Sequence, residues 1–249
     1  MAHLLNIQRI DTKQLPTNLK EEMRSLSKKV SKVREEYLLS RFKIYDQVIC
    51  LRRNQKLHGF QLVQTFEQKG EKFVYFGPLF SRMSCFLDLF LNYMQVVMQE
   101  NKGRKIHLLA EIENPEVLVF FKALFEDLAY PKFHENRVPE EIKENVRIYS
   151  GKLSHIHDLD VETMTTKSTD NLYYKQSIHP AEIENWLHSR NIDFSQGMNV
   201  VLYSYVPAES NDRENFKRQL ERGGNRMTNW KEGKQEVLTL FKGGIVSNV

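Results

Sequence analysis

The sequence predicts an α/β (α+β) fold: a mixed, mostly antiparallel central sheet flanked by helices, with a C-terminal extension. Three observations carry this. Three β-rich runs between residues 46 and 80 are joined by short polar turns, which makes an antiparallel meander. The pattern then switches to helix, strand, helix, strand, as in a mixed sheet covered by helices. Of the 249 residues 41% are hydrophobic, enough for a core, and 27% are charged, which suits a solvated surface.

The elements follow in order. Residues 4–10 form a first short strand, and Pro16, Thr17 and Asn18 punctuate the chain. Asn18 caps a long helix over 19–39, whose Met23, Leu26, Val30, Val33 and Tyr37 step by three and four. A strand at 46–51, a polar turn from Arg52 to Lys56 and a partner strand at 57–66 follow. A turn holding Gly70 leads to a strand at 73–80, ended by Gly77 and Pro78. Ser81 or Ser84 caps a helix that stops at Asn101, Lys102 and Gly103. Residues 105–112 alternate as a strand. Asn114 caps the next helix, with Pro115 at its first position. Residues 146–153 read as a strand. Further on, a helix over 180–189 buries Ile183, Trp186 and Leu187, and a strand over 199–206 is closed by Pro207. The polar stretch 208–234, with Gly223 and Gly224 in it, reads as a mobile loop or a helix broken at the glycines. The expected domains are a core at 1–153 and an extension at 154–249.

Several classes of function are set aside. The net charge of +4 is a mild excess that would help attract a polyanion. It lacks the one-face clustering of Lys and Arg that marks nucleic-acid binders, and the basic stretch from Arg213 to Lys234 is the weaker pointer to such a partner. Cys50 and Cys85 sit in apolar stretches and read as small buried thiols in a reducing compartment. Together with an N-terminus unlike a signal peptide, they predict a cytoplasmic protein. The longest apolar helix is too polar to span a bilayer, so no membrane is expected. His155 and His157 form a pair without a third ligand, so no metal is expected. Trp186 and Trp230 read as packing anchors. Tyr173, Tyr174, Tyr203 and Tyr205 fit an acceptor-pocket wall or an ordinary core equally well.

Residues 45–128 carry a resemblance. After the strand at 105–112, Asn114, Val117, Phe121 and Phe125 are spaced as in the GNAT superfamily of acyl-CoA-dependent N-acyltransferases. This chain resembles a divergent GNAT member. The resemblance implies a sheet that splays after its fourth strand, with the acyl donor, acetyl-CoA or another acyl-CoA, lying in the opening. It implies backbone contacts to the donor from Phe76, Gly77 and Leu79. It puts Ser81, Arg82 and Ser84 near the phosphates, where a helix start favours anions. Asn114 and Phe121 would face the pantetheine.

Two departures stand out. The family's phosphate loop is glycine-rich, and this sequence has no glycine between Pro78 and Gly103. The family's tyrosine acid is replaced by Phe121. Tyr75 is the alternative acid. Acylation of an amine also needs a base. His107, Glu111 and Glu113 fall on one face of the strand by alternation, and Glu113, beside Asn114, is the candidate base. Three readings stay open: a transferase relying on other groups, a relative using a different donor, and a non-catalytic binding module. The run from Tyr75 to Leu79 is also similar to the aminoacyl-tRNA-dependent transferases of cell-wall synthesis. The expected acceptor is an amine on a small molecule or a protein.

Overall fold

A computed structural model describes residues 5–81, 85–135, 137–154, 156, 158–167 and 181–231. The chain divides into two compact units, Met1–Leu108 and Leu109–Val249, and the division falls inside a strand.

The first unit holds β1 (Leu5–Asp11), α1 (Thr17–Val30), α2 (Glu35–Ile44), β2 (Gln47–Arg53), β3 (Lys56–Gln68), β4 (Glu71–Ser81), α3 (Phe86–Glu100) and the start of β5 (Ile106–Ile112). Its strands lie in the order β1-β2-β3-β4-β5, and the first three pairings are antiparallel. Both hairpin turns place two residues at positive φ: Asn54 and Gln55 at 48° and 65°, Lys69 and Gly70 at 52° and 79°. Two-residue turns of that hand match the twist of paired strands.

Two expectations are corrected in this unit. The single helix over 19–39 is broken. Ser31 is extended, its hydroxyl donates to the Ser27 carbonyl at 2.9 Å, and it accepts from the Val33 amide at 3.3 Å. A serine that bonds its neighbours' backbone in this way competes with the helix ladder. The helix starts after Pro16, so Asn18 lies within it. The second correction concerns β4, which runs through Gly77 and Pro78 to Ser81. Val63 pairs with Phe76 and Gln61 with Leu79, so Gly77 and Pro78 together stand opposite Leu62. This is a β-bulge, a place where a strand tolerates a proline that cannot donate to the ladder. Consequently Ser81 is a strand residue, and the residue before α3 is Cys85, without a side-chain cap. Ser84 lies outside the described residues.

The second unit holds the end of β5, α4 (Pro115–Phe125), α5 (Glu140–Lys152), β6 (Thr165–Lys167), α6 (Ala181–Ser189), β7 (Met198–Val206) and α7 (Ser210–Lys231). Its strands lie in the order β5-β7-β6, with β6 and β7 antiparallel. The fold class is therefore mixed α/β with mostly antiparallel strands, as expected. The strand expected at 146–153 is instead the second half of α5. Ile142, Val146, Tyr149 and Leu153 are buried at helical spacing, and Glu140 and Glu141 sit in the first turn. The polar stretch after 208 is also helical through both glycines. Phe216, Leu220, Gly223 and Met227 form the buried stripe of α7, which packs on α4. Among the described residues no helix is long and apolar enough to cross a membrane.

Candidate functional site

The sequence-predicted residues fall into two groups, and each is best described within its own unit. In the first unit Tyr75, Phe76, Gly77, Leu79 and Ser81 share β4. Pleating sends Tyr75 and Phe76 to opposite faces. Phe76 packs against Phe90 and Tyr93 of α3, with ring centroids 5.4 and 5.8 Å away. Tyr75 is buried and stacks on Tyr45 at 6.0 Å. Ser81 lies across from Gly59, where its hydroxyl fills the space a side chain would take. Leu79 is half-buried opposite Gln61. Arg82 lies outside the described residues.

The bulge at Gly77 is the most distinctive point on this strand. A Cβ built on Gly77 would stand 2.1 Å from Cε1 of Tyr45 and 2.6 Å from its hydroxyl. Glycine is therefore required by the closeness of an aromatic ring. The backbone that carries that ring is held on its carboxyl side. Thr12 Oγ1 donates to the Tyr45 carbonyl at 2.6 Å, and the Asp46 carboxylate accepts from the Thr65 amide at 3.1 Å. Burial pushes the Asp46 carboxyl up, against those hydrogen bonds. Beside the bulge lies Gln61, a residue only 3% exposed. Its Nε2 donates to the Gly77 carbonyl at 3.4 Å, and its Oε1 is buried with no partner among the described residues. A buried acceptor left unpaired costs about 1–3 kcal/mol, so this oxygen is poised to receive an N–H. We expect Gly77→Ala to destabilise the fold by about 1–3 kcal/mol through overpacking against Tyr45. An unchanged urea midpoint would show that the ring yields freely.

His107, placed by alternation on a polar face, is instead wholly buried. It stacks on Phe73 at 4.1 Å, and its Nε2 lies 2.8 Å from a Glu71 carboxylate oxygen. Residues 106–110 of β5 are buried on both faces, so alternation did not mark a wet side there.

In the second unit Glu113 is half-buried and precedes Asn114. Asn114 caps α4 as expected, its Oδ1 accepting from the Glu116 amide at 2.8 Å, with Pro115 at the first position. Glu111 accepts a short hydrogen bond from Thr166. Phe121 is buried and stacks on Phe125 at 6.2 Å, in an aromatic row with no hydroxyl.

One residue of α4 was missed by sequence reasoning. Lys122 is buried, and its Nζ donates to the carbonyls of Ala129 and Pro131 at 3.1 and 3.0 Å and more weakly to that of Glu126 at 3.5 Å. The ammonium also lies 4.7 Å from the Phe133 ring centroid. Burial pushes its pKa down to about 7. A signal was available: Lys122 is the one charged residue of residues 117–125, a run otherwise apolar on every face.

Neither cysteine forms a disulfide and both are buried, and burial pushes the Cys50 thiol up to about 12, which makes it inert. Among the described residues no cluster of His, Cys, Asp or Glu is arranged to hold a metal ion. His155, His157, Tyr173 and Tyr174 lie outside those residues, as does the side chain of Trp230.

No protein-family model matches the chain, and no curated protein sequence matches it. Among solved structures it is similar to the aminoglycoside N-acetyltransferase AAC(6')-Iy in complex with CoA. That match has 13% identity and a TM-score of 0.35, and covers 49% of this chain and 85% of the other. An integron cassette protein from the mobile metagenome of V. cholerae matches with 17% identity and a TM-score of 0.37, over 57% of this chain and 98% of its own. An Arabidopsis thaliana protein in complex with the bisubstrate analogue CoA-Ac-MVNAL matches with 14% identity and a TM-score of 0.34, over 47% and 80%.

Proposed function

We propose that this chain is a GNAT-like N-acyltransferase that moves an acetyl group from acetyl-CoA to an amine acceptor by direct attack. The observation that carries the reading is the β4 bulge at Gly77 and Pro78, with the unpaired buried oxygen of Gln61 beside it. A bulge takes backbone groups out of the strand ladder and re-aims them, which is what a preorganised oxyanion donor requires. The Gln61 oxygen suits an amide N–H of a pantetheine arm.

In this reading the backbone of Phe76, Gly77 and Leu79 contacts the donor. Ser81, with Arg82 and Ser84, faces its phosphates, and Asn114 and Phe121 face the pantetheine. Acetyl-CoA supplies an activated thioester carbonyl. Glu113 takes the proton from the acceptor's ammonium, so that the free amine forms the new C–N bond as the C–S bond breaks. The backbone N–H of Phe76 or Gly77 stabilises the charge that develops on the carbonyl oxygen. Tyr75 is the alternative acid for the departing thiolate, although its burial under Tyr45 means that this role requires the ring to move.

Two observations favour a second reading, a binding module without catalysis. Tyr45 covers the α-carbon of Gly77, and Phe121 offers no proton.

Calorimetry with acetyl-CoA, followed by thiol release in the presence of an amine panel, separates the two. The transferase reading expects micromolar donor binding. It also expects Glu113→Gln to keep that affinity while lowering turnover by about 10²–10⁴-fold. Donor binding without turnover on any amine supports the module. No binding at millimolar acetyl-CoA overturns the acetyl-CoA assignment in both.

A further inference from the structure

The second unit contains a cleft that the acyl-transfer reading does not use. It encloses about 510 Å³ between the segment after α4, the end of β7 and the first half of α7. That volume is within the usual range of small-ligand sites, about 300–1,000 Å³. Two of the three exposed large hydrophobic residues among the described residues, Leu128 and Tyr205, line it. Its rim is built rather than frayed. Tyr130 and Tyr203 exchange backbone hydrogen bonds at 2.7 and 2.9 Å, and Ser204 Oγ donates to the Leu128 carbonyl at 2.7 Å.

The charges that α7 brings to the wall are sorted along the helix, while the segment after α4 adds two carboxylates, Glu126, which pairs with Arg226, and Asp127. Asp212 lies in the first turn, and Arg218 and Arg222 lie one turn apart further along. None of the three side chains makes a hydrogen bond or ion pair with the described residues. Between them Gln219 presents a buried amide nitrogen without a partner among the described residues. An unpaired buried donor calls for a carbonyl or carboxylate oxygen. At 1.5 Å of rise per residue the acidic and basic positions are about 9–15 Å apart along the helix. Two or three residues of extended peptide span about 7–11 Å, and the arginine side chains shorten the gap.

We infer that this cleft binds a short, free-ended peptide with an apolar side chain. Its ammonium lies at Asp212 and its carboxylate at Arg218 and Arg222. A backbone carbonyl accepts from Gln219, and the apolar side chain rests on Leu128 and Tyr205. Arginine suits the carboxylate because its planar fork can bind both oxygens.

The test is calorimetry on the full chain without any acyl donor, so it stands apart from the transferase reading. The probes are alanyl-leucyl-alanine with free termini, its N-acetylated form and its C-amidated form. The expected result is binding of the free peptide and at least tenfold weaker binding of each blocked form. Asp212→Asn is expected to remove the penalty for N-acetylation only, and Arg218→Gln with Arg222→Gln that for amidation only. Gln219→Leu weakens the free peptide severalfold. The charged side chains are exposed, so these variants keep their far-UV circular dichroism. Equal binding of all three peptides, or no heat at millimolar free peptide, overturns the inference.

Discussion

Gly223→Ala is expected to cost at least about 3 kcal/mol, because the added carbon would meet backbone rather than a movable side chain. A Cβ at Gly223 would stand 2.5 Å from the carbonyl oxygen of Ala123 and 2.5 Å from the α-carbon of Leu124. These atoms belong to α4, so α7 must withdraw as a body. Withdrawal would also loosen the Arg226 hydrogen bond to the Ala123 carbonyl, its ion pair with Glu126, and the packing of Phe216 on Phe125. A control of opposite sign lies in the same unit. Gly151 of α5 has nothing within 4 Å of a built Cβ, so Gly151→Ala is expected to stabilise by about 0.4–1 kcal/mol. Urea unfolding of both variants checks the pair. A neutral Gly223→Ala would mean that the two helices do not touch there.

Lys122→Met is expected to cost about 3 kcal/mol, although it removes a buried charge. The methionine fills similar space, but it leaves the Ala129 and Pro131 carbonyls without their donor, at about 1–3 kcal/mol each. These carbonyls shape the segment that carries Leu128 and leads into the cleft. The pH dependence follows from the lowered pKa. In the unfolded chain Lys122 titrates near the ordinary lysine value of about 10.4, whereas in the fold burial brings it to about 7. Between those values the unfolded chain binds the extra proton, so raising the pH favours the fold. The contribution of Lys122 therefore improves from pH 7 towards pH 10, with a slope of at most about 1.4 kcal/mol per pH unit. Subtracting the pH profile of Lys122→Met from that of the wild type isolates this slope. A flat difference would show that the three carbonyls and the Phe133 ring hold the ammonium charged throughout.

The elements that sequence reasoning located are those whose signals are local. The two hairpins follow from short polar turns between β-rich runs, and α4 follows from Asn114 and Pro115, a cap and a first-turn residue in adjacent positions. The misplaced elements are those whose local signals conflict. The window 146–153 looked strand-like because it omitted Ile142, the residue that sets the helical spacing of α5. The stretch after 208 looked polar because α7 buries only a narrow stripe, one of whose members is a glycine, Gly223. Gly77 and Pro78 looked like a strand end because a bulge and a stop use the same residues.

The candidate site divides along the same line. By itself the sequence determined the mixed α/β class, the cap at Asn114 and the missing hydroxyl at Phe121, since each depends on residue type and near neighbours. Only the tertiary structure decided that Tyr45 lies over Gly77, that the Gln61 oxygen has no partner among the described residues, and that Lys122 gathers three carbonyls. Each of these pairs groups through space, where packing and desolvation act and periodicity along the chain carries no information.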